Sequence, residues 1–106
     1  MMNETKFTVV ISYFEDWETN VCKYNSLREM LRDLFFVGYE SPDDEWVNNP
    51  AEYREEILKD ISTIIDQCTE ACSFHIFYIK NNEIEELHIN EIDKDELITA
   101  YLTAYE

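Results

Sequence analysis

Phe74-His75-Ile76-Phe77-Tyr78-Ile79-Lys80-Asn81-Asn82-Glu83-Ile84-Glu85-Glu86-Leu87-His88-Ile89 reads as one β-hairpin. Two strand-like runs, 74–80 and 83–89, flank Asn81-Asn82, a two-residue turn signal. The implied register sets Lys80 opposite Glu83 and His75 opposite His88. Phe77, Ile79 and Ile84 share a face with the histidines, and Glu86 lies on that face too.

Upstream, residues 6–14 alternate, with Phe7, Val9, Ile11 and Tyr13 on one side and β-branched residues between them. That pattern predicts a strand, and Val21-Cys22-Lys23-Tyr24 can return beside it as a short second one. Ser26-Leu27-Arg28-Glu29 is a capping box ahead of Leu27, Met30, Leu31, Leu34 and Phe35 at helical spacing. A helix over 27–37 follows, with Gly38, the only glycine, as the residue just past its end. Residues 39–49 read as a loop. Asn49-Pro50-Ala51-Glu52 then predicts a helix start, with Asn49 as N-cap, Pro50 at N1 and Glu52 at N3. Its apolar stripe runs through Tyr53, Ile57, Leu58, Ile61, Ile64, Ile65, Cys68 and Cys72, which carries the helix to about residue 70. After the hairpin, Asn90 or Asp93 can cap a last helix, with Leu97, Ile98, Tyr101, Leu102 and Tyr105 on its apolar side. Three amphipathic helices and a small sheet with one wet face predict an α+β fold. It is an antiparallel sheet of three to four strands packed against three helices, in the order β(β)ααββα. The whole chain, 1–106, forms one domain.

Composition narrows the function. The 106 residues carry 24 acidic and 8 basic side chains, a formal charge of −16. With 45% hydrophobic and 14% aromatic residues, the chain is too apolar for a disordered acidic tail. One glycine leaves no glycine-rich phosphate loop. Direct nucleic-acid binding is not expected, because such affinity comes mostly from Lys and Arg neutralising phosphates. An anionic membrane surface repels the chain for the same reason. The apolar run 7–14 is too short to span a bilayer and lacks the flanks of a signal peptide. Cys22, Cys68 and Cys72 form no Cys-x-x-Cys pair and read as small buried thiols in a reducing cytoplasm.

Catalytic signals are weak. No serine sits in a nucleophile elbow and no carboxylate pair stands out, so no catalytic residue and no cofactor is assigned. The sharpest local set is His75, His88 and Glu86, which would define a small metal-dependent enzyme if the hairpin register brings them together. The carboxylates speak more strongly. Glu52, Glu55, Glu56, Asp60, Asp66 and Glu70 fall on the predicted exposed side of the second helix. Steps of four residues rise about 6 Å, comparable with phosphate spacing along a nucleic-acid strand. Glu40, Asp43, Asp44 and Glu45 precede Trp46, and Trp17 sits among Glu15, Asp16 and Glu18. A tryptophan in an acidic loop suits an interface anchor ringed by steering charge.

In size, charge and mixed α+β pattern the chain resembles small acidic inhibitors encoded by phages and mobile elements, such as anti-CRISPR and anti-restriction proteins. The resemblance is one of kind and rests on no specific motif. It implies a protein that acts in the bacterial cytoplasm by occupying the DNA- or RNA-binding groove of a larger nuclease. The expected partner is a basic nucleic-acid-binding protein or complex, met by Glu52, Glu56, Asp60, Glu40, Asp43, Asp44, Glu45, Trp46 and Trp17, with the inhibitor a monomer or homodimer. An immunity protein or antitoxin against a cognate basic nuclease toxin uses the same physics.

Overall fold

The computed structural model describes residues 6–38 and 41–104. Alternation in β1 (Phe7–Tyr13) buries Val9 and Ile11 on one side, and in β3 (Cys72–Lys80) it buries Cys72 and Ile76. These two strands pair antiparallel at the centre of the sheet, with Val9 opposite Ile76 and Ile11 opposite Phe74. β2 (Thr19–Tyr24) and β4 (Glu83–Leu87) add one strand at each edge, so the order is β2-β1-β3-β4. Lys80 faces Glu83 as the hairpin reading requires, and Asn81 and Asn82 both adopt positive φ, the geometry of a tight two-residue turn.

The helices cover one face of this sheet. α1 (Leu27–Leu31) starts at Ser26, whose Oγ accepts the Glu29 N–H at 3.1 Å. It continues as a π-helical turn over Arg32–Phe36, closed by Val37 N–H donating to the Arg32 carbonyl at 2.8 Å. A π turn holds more residues than an α turn, so successive side chains lie closer in angle. Phe35 and Phe36 are therefore both inside, each 1% exposed. Their rings meet Phe74 and Tyr101, with centroids 5.3 Å apart in both pairs. Gly38 then takes φ +102°, which a side chain would strain even though the space around it is open. α3 (Arg54–Ala71) buries Ile57, Ile61 and Ile64, and α4 (Lys94–Leu102) buries Leu97, Ile98, Ala100 and Tyr101. Arg32 Nη2 donates to the Ala104 carbonyl at 3.2 Å and so ties the end of α4 to the first helix.

Three local expectations need correction. The expected loop over 39–49 contains a short helix, α2 (Asp44–Asn48). The second long helix begins at Arg54 and not at Pro50, because Glu52 and Tyr53 both donate backbone N–H groups to Asn49 and close a turn first. Glu52 is thus not a helical residue. β4 ends at Leu87, and a 3₁₀ turn over Ile89–Glu91 replaces its expected last residues. Tyr39, Glu40 and Tyr105 lie outside the described residues.

Ile61 is 2% exposed in the middle of α3. Replacing it with Ala is expected to cost about 2–5 kcal/mol, read as the loss in unfolding free energy in urea. A loss under about 1 kcal/mol would show that α3 does not pack through this residue.

Candidate functional site

An acidic chain short of cations must satisfy its carboxylates some other way. Among the described residues two carboxylates have cationic or imidazole partners: Asp95 pairs with Arg54, and Glu86 lies 3.2 Å from His75 Nδ1. Phenols supply four more contacts. The hydroxyls of Tyr24, Tyr53, Tyr78 and Tyr101 donate to Asp33, Glu45, Glu85 and Asp60 respectively. A neutral donor aimed at a carboxylate makes a stronger bond than a neutral pair, without requiring a second charge. Sequence reading missed this device. The only available signal was seven tyrosines in a chain with a threefold excess of acids.

These bonds separate the candidate carboxylates. Asp60 is half-buried and accepts a hydrogen bond from Tyr101, where its place on the helix predicted an exposed side chain. It lines a cavity of about 380 Å³ with Trp46, Asp43 and Tyr101, and Trp46 is half-buried against the core. Of the two tryptophans, Trp46 therefore staples its segment inward. Glu45, Glu52 and Glu56 come together around Tyr53, whose phenol is held above its ordinary value first by the Glu45 bond and further by the charges of all three. The helix start and the 43–45 segment, separate in sequence, thus form one acidic surface, with Asp43 and Asp44 exposed beside Glu45. The middle of the exposed α3 face is not acidic: Lys59, Ser62 and Thr63 interrupt it. No continuous phosphate-like row runs along the helix.

A second acidic surface forms at the far end of α3, about 27 Å away at 1.5 Å per residue. The Phe14 N–H donates to the Ala71 carbonyl at 3.0 Å and brings the β1–β2 turn against the helix end. Glu15, Asp16, Glu18 and Glu70 line one concavity there. Trp17 projects from the same turn, 79% exposed, at φ 59°. That left-handed backbone is rare for a bulky residue and costs on the order of 1–2 kcal/mol. The turn holds it by Trp17 N–H to the Tyr13 carbonyl at 2.9 Å and Glu18 N–H to Asp16 Oδ1 at 3.0 Å.

The metal reading loses its geometry. His75 contacts Glu86, but the β3–β4 ladder stops at the Ile76–Leu87 pair, one position before His88. Among the described residues no three His, Cys, Asp or Glu side chains are grouped to hold a metal ion. None of the three cysteines is in a disulfide, and all three line one cavity, where burial pushes the Cys72 thiol up, away from the reactive thiolate. Among the described residues no helix is long and apolar enough to cross a membrane.

Burial, and then the Asp33 bond, hold the Tyr24 phenol far above its ordinary value of 10.0. A phenol that ionises in the unfolded chain but not in the fold leaves stability intact below its unfolded pKa and lowers it above. The urea midpoint is expected to stay level to about pH 9 and fall beyond about pH 10. Tyr24→Phe is expected to lower stability at neutral pH by about 1 kcal/mol, since exposed Asp33 recovers water, and to flatten part of the alkaline fall. An unchanged alkaline slope in that variant would refute the assignment.

Comparison with protein-family models, with curated proteins and with solved structures found no match to this chain.

Proposed function

We propose that the protein is a stoichiometric inhibitor of a bacterial nucleic-acid-binding nuclease, such as a CRISPR effector or a restriction complex, and that it occupies the enzyme's basic groove. One observation carries this reading. Glu15, Asp16, Glu18 and Glu70 gather at the C-terminal end of α3, around an exposed tryptophan in a strained backbone. That end of a helix bears the negative pole of its dipole, so acids there are unfavourable. No basic residue stands in the last turn to offset them. By contrast Glu55 and Glu56, in the first turn, favour the helix they belong to. Acids and an apolar ring placed where the fold gains nothing from them suit a partner that is positively charged and has an apolar recess.

The acidic surface at Glu45, Glu52 and Glu56 supports a second point of contact. The two surfaces are separated by about 27 Å, some eight nucleotide steps at 3.4 Å. The inhibitor would therefore bridge two basic regions of a groove. Its 24 acids against 8 bases would steer the encounter. Trp17 would act as the anchor that slows dissociation.

The test is a titration of inhibitor, nuclease and the nuclease's nucleic acid. Competition is expected, with the two ligands excluding each other. Reversing Glu15, Asp16 and Glu70 to Lys together is expected to slow association and weaken its salt dependence, whereas Trp17→Ala is expected to speed dissociation. Formation of a ternary complex with undiminished nucleic-acid affinity would eliminate the groove-blocking mechanism.

A further inference from the structure

The face of the sheet turned away from the helices has a different chemistry from the rest of the molecule. Val10, Val21, His75, Phe77, Ile79 and Ile84 point to that side. Val21, Ile79 and Ile84 are 60%, 71% and 76% exposed. Within the strand ladders this face holds one carboxylate, Glu86, of the chain's 24 acids, together with the cation Lys23. Lys6 falls on the same side, one step before β1. Two chains with a charge of −16 each repel over most of their surfaces, and this face is where they can meet without opposing carboxylates.

The register adds a directional feature. One row across the sheet reads Lys23, Thr8, Phe77, Glu86, from the β2 edge to the β4 edge. Its ends carry opposite charges, three strand spacings or roughly 14 Å apart. A two-fold axis parallel to the strands, passing between β1 and β3 above the sheet, superposes this row on itself in reverse. Lys23 then lies over the partner's Glu86, Thr8 over the partner's Phe77, and Val10 over the partner's His75. Each pair occurs twice, as an isologous interface requires. The stacked sheets would sit about 10 Å apart, in the aligned packing of β-sandwiches.

We propose that the open face of the sheet is a self-association surface, on which a second copy of this chain docks about that two-fold axis. The dimer leaves both acidic surfaces of each α3 facing outward. It does not depend on the identity of any other partner. Four strands of five to nine residues make a small patch, roughly 400 Å² in projection, so the dimer is weak and forms at high protein concentration.

Sedimentation equilibrium at concentrations up to about 0.5 mM tests the proposal on the whole chain. The wild-type protein is expected to reach a monomer–dimer equilibrium. Lys23→Glu is expected to weaken it at least about tenfold by setting two glutamates against each other across each symmetric contact. Adding Glu86→Lys in the same chain is expected to restore most of the loss, because the reversed pair is again complementary. Both side chains are exposed, and circular dichroism of each variant checks that the fold is kept. A wild-type protein that stays monomeric throughout would overturn the proposal. So would a dimer in which Lys23→Glu has no effect or Glu86→Lys gives no rescue; the latter result would point to pairing along the β2 edge.

Discussion

The excess of negative charge decides how this chain can satisfy its polar groups. With three acids for every base, ion pairing cannot satisfy the carboxylates. None of the described ones is buried. The core is therefore wholly apolar, and the polar bonds at its margin come from tyrosines. Tyr24 and Tyr101 show the logic. Each ring is buried in the core while its hydroxyl reaches a carboxylate at the edge, Asp33 or Asp60. One side chain thus contributes apolar burial and a charge-assisted hydrogen bond together. A lysine or arginine in that role would bring a charge of its own to the core boundary, with the desolvation cost that entails.

The same constraint divides the molecule into unlike sides. Helices give acids favourable places at their N-terminal turns, as at Asp44 and Glu45 in α2, Glu55 and Glu56 in α3, and Asp95 and Glu96 in α4. The open sheet face takes almost none. What local physics does not account for is the group at the other end of α3, with Trp17 exposed above it. This departure from local stability is the reason to read that surface as functional.

Much of the fold was legible because its signals are local. The Asn81-Asn82 turn, the Ser26 cap and the alternation in β1 each depend on neighbours a few residues away. The places where the reading failed are those where a distant contact intervenes. Asn49-Pro50-Ala51-Glu52 carries every sign of a helix start, yet the chain closes a separate turn there and Tyr53 reaches back to Glu45. Asp60 has the spacing of an exposed helical acid, but Tyr101, forty-one residues later, claims it. Trp17 and Trp46 look alike in sequence, each beside acids. Only the contact of the β1–β2 turn with the end of α3, and of α2 with the core, sends one outward and the other inward.

If the fold carries its negative charge as an uncompensated load, salt must stabilise it. The direct measurement is unfolding free energy in urea at neutral pH, as sodium chloride rises from about 0.02 to 1 M and the screening length shrinks to about 3 Å. Screening weakens repulsion among the acids and leaves the apolar core and the tyrosine bonds in place. Stability is therefore predicted to rise monotonically with salt. A fall over that range would contradict the account, because it would mean that attractive ion pairs, and not an apolar core with phenol donors, hold this acidic chain together.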